Sequence, residues 1–315
     1  MNYFVTGGAG FIGSNYVDFL LTQVSGVHKV TVYDNLTYAG NLKNLEHHSG
    51  DVRLEIVVGD IRDPLAVKKA LKGHDVIVHF AAESHVDRSI ADSSIFVQTN
   101  VLGTYTLLEA ARLSNISTFI HVSTDEVYGS LDVDSATEDY PLLPNSPYAA
   151  SKAASDLLAR SYYVTHGLDV RITRCCNNYG PHQFPEKLVP VLTRAGLNQE
   201  KLPIYGNGSN VREWIYVKDH CQALQVVISK GKPGNIYNVG TGIHLTNLEL
   251  ANKLIHILEL EKDVIHFIED RKGHDFRYSI NSEKLKELGN YEITSFEDGL
   301  LSTVKWYSEN HDWWD

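Results

Sequence analysis

The chain has few cysteines, a deficit of positive charge and no long apolar run. Its three cysteines, Cys175, Cys176 and Cys221, form neither a CxxC motif nor a Cys/His spacing suited to a metal. Adjacent Cys175 and Cys176 are poorly placed to bridge each other, so all three read as reduced, buried thiols. Asp and Glu outnumber Lys and Arg by 39 to 28, a net charge of −11. That balance excludes a general affinity for nucleic-acid phosphates or anionic lipid, and any anionic ligand needs a local basic pocket. No stretch of 18 apolar residues occurs, and Met1 leads into a strand-like run without a basic leader. The expectation is a cytoplasmic protein with no membrane and no nucleic-acid partner. The His47-His48 pair and the charge run at 269–272 read as solvated loop, and no metal is expected.

What is present is enough for a well-buried core: 315 residues, 43% of them hydrophobic. Strand-like runs at 3–6, 29–33, 54–58, 76–80, 118–122 and 170–174 alternate with helix-period stretches such as 15–22, 64–71, 101–113 and 149–165. This is the pattern of βαβ units, and it predicts an α/β fold with a doubly wound parallel sheet of Rossmann type. After about residue 179, prolines at 181, 185, 190 and 203 and the glycines of "YGNGSN" break the rhythm. A smaller C-terminal, substrate-binding lobe is expected there. The division is 1–178 for the first domain, with 217–240 returning to it, and 179–216 with 241–315 for the lobe.

"VTGGAGFIGS" sets Gly7, Gly10 and Gly13 directly after the first strand and at the start of a helix. Glycines there permit a sharp turn and close backbone approach to a pyrophosphate, which the helix N-terminus favours electrostatically. The second strand ends in "VYDN", with Asp34 lying 21 residues past Gly13, where a carboxylate accepts ribose hydroxyls and repels a 2′-phosphate. NAD is therefore preferred over NADP. In "GDIRD", Asp60 and Ile61 either flank the adenine or, for Asp60, cap a helix.

"SPYAASKAASD" places Tyr148 and Lys152 four residues apart on one helix face. The pair resembles the Tyr-x-x-x-Lys signature of short-chain dehydrogenases/reductases. A phenol with a reference pKa of about 10 needs nearby cations to act as a base near neutrality, and Lys152 with an oxidised nicotinamide would provide them. Thr124, at the end of the preceding strand, matches the superfamily's hydroxyl that holds the reacting oxygen. Asp125 and Glu126 follow it in "HVSTDEVYG". Oxidation of a sugar at C4 acidifies the hydrogen on C5. One carboxylate can then remove that hydrogen while a second, protonated one assists departure of the C6 hydroxyl.

The motifs "TGGAGFIGS", "LTYAGN", "GDIRD", "AAESHVDRSI", "STDEVYG", "PYAASK", "CCNNYGP", "PEKLVP", "VREW" and "DRKGHDFRY" stand in order along nearly the whole chain. In that order and spacing the chain resembles the dTDP-glucose 4,6-dehydratase family of extended short-chain dehydrogenases/reductases. The resemblance implies a lyase that oxidises C4, loses water across C5 and C6, and returns the hydride to C6 with NAD retained throughout. It assigns proton removal from O4 to Tyr148 with Lys152, the hold on O4 to Thr124, C5 deprotonation to Glu126 and protonation of the leaving hydroxyl to Asp125. For the cofactor it implies Gly7, Gly10, Phe11, Ile12, Gly13, Asp34, Asn35, Leu36, Thr37, Asp60, Ile61, Ala81, Ala82, Thr99, Tyr148, Lys152 and Asn178.

For the nucleoside diphosphate sugar the resemblance implies Asn177, Lys187, Leu188, Arg212, Asn247, Arg271 and His274, with Ser84 and Asn100 near the reacting ends. Pro203, Ile204 and Tyr205 are expected to wall the base, and Asn247 also to cap the helix beginning near Leu248. Thymine over uracil rests on the resemblance alone. A homodimer is likewise implied, with 89–111 and 146–163 as its interface helices. The neighbouring reading, a nucleotide-sugar 4-epimerase or decarboxylase on the same fold, has no use for the Asp125-Glu126 pair.

Overall fold

A computed structural model describes residues 1–315 apart from 133, 271, 272, 290 and 315, and for residue 262 the backbone only. The apolar runs of the first half form β1 (Asn2–Thr6), β2 (Lys29–Asp34), β3 (Leu54–Val58), β4 (Val76–His79), β5 (Thr118–Thr124) and β6 (Val170–Cys175). Then follow β7 (Asn177–Tyr179), β8 (Leu202–Tyr205), β9 (Val211–Tyr216), β10 (Ile236–Val239), β11 (His244–Thr246) and β12 (Ile265–Ile268). The main sheet runs β10-β6-β5-β4-β1-β2-β3, and every pairing in it is parallel. The order of winding reverses between β1 and β4, the switch point where such sheets leave a crevice at the carboxyl ends of their strands.

Both faces of this sheet are covered, which is why its strands read as continuous apolar runs. Successive side chains alternate between the two layers: Tyr3 and Val5 pack into one core, Phe4 into the other, and Val76 and Val78 part from Ile77 in the same way. The helix Pro147–His166 has Ser146 as its N-cap, accepting from Ala149 N at 3.1 Å, and Pro147 in its first turn. It stops at Gly167, which is left-handed with φ 69°. The stretch expected as one helix over 101–113 is α-helical only from Thr104; residues Val97–Gly103 wind as a wider π-turn.

Residues beyond β6 build a second layer system. Its sheets are β11-β9-β7 and β12-β8. A separate core of Leu192, Ile204, Trp214, Leu250, Leu254 and Phe296 holds the helices Leu188–Leu197, Asn247–Ile257 and Phe296–Glu309 against them. Between these, Leu224 and Val227 of the helix Val217–Lys230 pack into the main core, and β10 extends the main sheet beside β6. We propose the division into 1–178 with 217–240, and 179–216 with 241–315; the boundary at 178 falls within β7, which pairs with β9 of the lobe.

Candidate active site

A cavity of about 620 Å³ runs along the carboxyl ends of the central strands and into the second lobe. At its first end the chain turns out of β1 at Gly7, whose φ of 68° and close approach to Ala81 forbid a side chain: a Cβ there would lie 2.6 Å from Ala81 N. The helix Phe11–Thr22 begins after Gly10 with no side-chain cap, so its first N–H groups are available to an anion. Asp34 closes β2 beside them. Its two oxygens accept from Ala9 N and Leu36 N, both at 2.9 Å. Burial raises its pKa, and these two backbone bonds oppose the shift. A carboxylate has about four lone-pair directions, which leaves acceptor capacity for a pair of ribose hydroxyls. The basic residue nearby, Arg62, is paired with Asp60 at 2.6 Å, and Asp60 does not cap the next helix, since Asp63 does. The donors, the glycine turn and the carboxylate fit a dinucleotide with a free 2′-hydroxyl.

At the centre, β5 ends in Thr124 and the chain continues as a 3-10 turn over Asp125–Tyr128, for which Thr124 is the cap; Glu126 N donates to Thr124 Oγ1 at 3.3 Å. Three residues per turn separate neighbouring side chains by about 120°, so Asp125 and Glu126 leave the strand in different directions while lining one cavity. Asp125 is 3% exposed. Its Oδ1 accepts from Thr124 Oγ1 at 3.2 Å, and its Oδ2 has no hydrogen-bond partner among the described residues. Burial pushes the Asp125 carboxyl well above the usual range, and the charges of Glu126 and Glu213 push it the same way against the opposing pull of Arg212 and Thr124. The larger of these influences all favour the neutral form of the carboxyl.

Tyr148 and Lys152 face this pair from the helix Pro147–His166. Lys152 is 5% exposed and donates from Nζ to Val122 O of β5 at 2.8 Å, which pins the helix to the strand carrying Thr124. Burial lowers the Lys152 pKa, while Asp156 and Cys175 oppose that. Burial raises the Tyr148 phenol well above its ordinary value, with Glu126 and Cys175 adding to the rise and hydrogen bonding to Thr124 resisting it. The protein's own groups thus hold Tyr148 protonated. The lowering expected of Lys152 together with an oxidised nicotinamide is not produced by the protein's groups alone.

The far end is lined by the second lobe. Arg212 is clamped by the carbonyls of Val211 at 2.8 Å, Phe276 at 3.2 Å and Asp275 at 2.8 Å, and its guanidinium lies 4.4 Å from the centre of the Tyr278 ring. Tyr278 donates to Asp275 Oδ2 at 2.6 Å, which fixes the ring. Lys187 donates to Ser84 O at 2.7 Å across the cavity, and His274 meets Asp270 at 2.6 Å. In an acidic chain, these three basic groups are gathered on one cavity.

The family model for GDP-mannose 4,6 dehydratase matches residues 4–303. A dTDP-glucose 4,6-dehydratase of Streptomyces niveus is 49% identical over 319 residues, spanning 100% of this chain and 95% of that protein. The crystal structure of DesIV, a dTDP-glucose 4,6-dehydratase of Streptomyces venezuelae with NAD and TYD bound, is 54% identical with a TM-score of 0.98, covering 100% of this chain and 99% of that one. The chain belongs to the dTDP-glucose 4,6-dehydratases of the extended short-chain dehydrogenase/reductase family. A UDP-glucose 4-epimerase of Thermus thermophilus, solved with NAD, stands further off at 30% identity and a TM-score of 0.90, covering 98% of this chain and 99% of that one.

Of the residues expected on the dehydratase pattern, most line the cavity: Gly7, Gly10, Phe11, Ile12, Gly13, Asp34, Asn35, Thr37, Asp60, Ile61, Ala81, Ala82, Thr99 and Asn178 toward the glycine turn, and Ser84, Asn177, Lys187, Leu188, Pro203, Tyr205, Arg212, Asn247 and His274 toward the lobe. Four expectations need correction. Leu36 does not line the cavity; its backbone N–H shapes Asp34 instead. Ile204 is wholly buried in the lobe's core, because alternation along β8 turns it away from the side on which Pro203 and Tyr205 stand. Asn100 is a buried brace: it bonds both backbone groups of Glu83 and donates to Ser151 Oγ at 2.9 Å. Asn247 is the first residue of its helix, and Thr246 caps it through a reciprocal box with Glu249. Arg271 lies outside the described residues. Sequence reasoning missed Cys175, Asp275 and Tyr278, all of which line the cavity. Cys175 pairs in register with Thr124 across β5 and β6, so its place follows from topology, whereas the clamp on Arg212 has no signal in chain spacing.

Proposed function

We propose that this chain is an NAD-dependent hydro-lyase that converts dTDP-glucose to dTDP-4-keto-6-deoxyglucose for deoxysugar biosynthesis. The observation that carries this reading is the Asp125-Glu126 pair: a buried carboxyl whose pKa burial raises, beside a second carboxyl, in the cavity that holds Thr124 and Tyr148. NAD bound between the glycine turn and Asp34 would supply the acceptor for the C4 hydride and its return to C6. When the positive charge of an oxidised nicotinamide adjoins it, Tyr148 would release its proton to solvent and take the O4 proton as phenolate, with Lys152 positioning its helix through Val122. Thr124 holds O4. Glu126 takes the C5 hydrogen as a proton, Asp125 gives its proton to the C6 hydroxyl, which leaves as water, and a proton is restored to C5 when hydride adds at C6. Arg212, Lys187 and His274 meet the diphosphate.

Epimerisation returns the hydride to C4 and requires neither acid nor base at C5 and C6, which is why the carboxylate pair favours dehydration. Incubation with dTDP-glucose is expected to yield a 4-keto product that absorbs in alkali; recovery of dTDP-galactose instead would replace this reading. Competition between dTDP- and UDP-glucose tests the base. The preferred assembly is a homodimer: Val97, Leu102, Tyr105, Leu157 and Val164 are exposed apolar residues on 97–113 and 147–166, and a second copy would cover them. Among the described residues no helix is long and apolar enough to cross a membrane, which is compatible with the cytoplasmic site proposed here.

A further inference from the structure

The helix Phe11–Thr22 turns its middle toward a 3-10 segment, Leu42–His48, that the chain forms before β3. Asp18 on the helix meets both histidines that end the segment: His47 Nε2 lies 3.2 Å and His48 Nε2 2.9 Å from the same oxygen, Asp18 Oδ1. The two imidazole rings are 4.1 Å apart between centroids. One ligand atom from each of the three residues lies within 4.8 Å of the others. None of the three lines the active-site cavity.

We propose that Asp18, His47 and His48 bind one divalent transition-metal ion of the zinc class. Ligands about 2.1 Å from a common ion, at tetrahedral or octahedral angles, stand about 2.9–3.4 Å from each other. The carboxylate-to-imidazole separations already fall there, so an ion can be accommodated by small side-chain rotations rather than by movement of the fold. Two imidazoles and one carboxylate suit Zn²⁺, Ni²⁺ or Cu²⁺ and disfavour Mg²⁺ and Ca²⁺, which take oxygen ligands. Access is graded: the His48 side chain is 10% exposed, while Asp18 and His47 are 40% and 49% exposed and reach solvent. With three protein ligands, further positions would be left to water.

The elements that carry the ligands are held in place independently of them. Asn41 Oδ1 accepts from Lys43 N at 3.0 Å at the head of the 3-10 segment. Within it, Asn44 donates to Ala9 O of the glycine turn at 2.9 Å and accepts from Trp313 Nε1 at 2.7 Å. The chain spacing of His47 and His48 alone suggested a solvated loop, because the third ligand comes from a helix 29 residues before His47 and is visible only once the two elements pack. Binding to the folded state alone would also stabilise it.

The test uses the full-length protein, stripped with a chelator and dialysed into a non-coordinating buffer, titrated with ZnCl₂ by calorimetry and by thermal denaturation. One saturable ion per chain and a rise in Tm are expected. Asp18→Asn and His47→Gln should each weaken binding by about 10-fold or more, while His256→Gln, at an exposed histidine on the helix Asn247–Ile257 of the lobe, should leave it unchanged. The same isotherm in wild type and in an Asp18→Asn/His47→Gln double variant, or no saturable binding by wild type, would overturn the site. If either variant fails to fold by circular dichroism, Cu²⁺ electron paramagnetic resonance on the wild type decides: coupling to two imidazole nitrogens supports the proposal, and its absence refutes it.

Discussion

At one end of the cavity Thr124, Asp125 and Glu126 follow one another out of β5, and Tyr148 and Lys152 share one helix tied to that strand through Val122. At the other end Lys187, Tyr205, Arg212, Asn247 and His274 come from five separate segments of the second lobe. The first group is positioned by regular backbone and local capping. The second depends on tertiary clamps such as the three carbonyls and the Tyr278 ring around Arg212. The difference teaches where rigidity is needed: proton and hydride transfers demand placement to a fraction of an ångström, while a diphosphate can be met by charges gathered from several loops.

The largest effect should come from the rigid end. Tyr148→Phe removes the proposed proton acceptor without emptying the helix packing, and kcat should fall by about 10²–10⁴-fold. Affinity for dTDP, measured by calorimetry, should hold. A parallel loss of nucleotide binding would erase the distinction between the ends.

Arg212→Ala should do the converse. Hydrogen bonds to a charged partner contribute about 1.5–3 kcal/mol, so KM for the sugar nucleotide should rise roughly 10- to 100-fold with kcat changed far less. Steady-state kinetics with NAD in excess separates the two parameters, and a dominant kcat loss would mean that the clamp also places the sugar.

The smallest effect concerns stability and pH. Asp125 has a folded-state pKa raised well above its ordinary 3.8. Below that ordinary value both folded and unfolded states bind the proton. As pH rises toward the folded value, only the unfolded state releases it freely, and the wild type loses stability relative to a variant that cannot ionise. Asp125→Asn should therefore gain in Tm over wild type as pH is raised from about 4 through neutrality. A difference in Tm that does not change with pH would show that the carboxyl is not held protonated.

The same comparison explains what could be read from the chain. The parallel sheet follows from apolar runs whose residues are buried on both faces, as Tyr3, Phe4 and Val5 illustrate. The residues expected to be catalytic could be grouped from the chain because they are neighbours in sequence or lie one helical turn apart, and they line one cavity. Ile204 was misplaced because a strand's alternation fixes its facing only once the partner strand and core are known. Asn247 was misread as a cap because Thr246 and Glu249 form a better one, a competition that spacing alone did not resolve. Asn100 binds Glu83 and Ser151, a contact between distant segments that no local pattern announces. Asp275 and Tyr278 escaped for the same reason: their work is to hold Arg212, and that partnership exists only in the folded lobe.

The central claim, that Glu126 is the base acting after a ketone forms at C4, is tested most directly by a single-turnover experiment on Glu126→Gln with NAD bound and dTDP-glucose added. The account predicts that reduced-nicotinamide absorbance rises slowly and persists, with no 4-keto-6-deoxy product released. Product formation at the wild-type rate would contradict it.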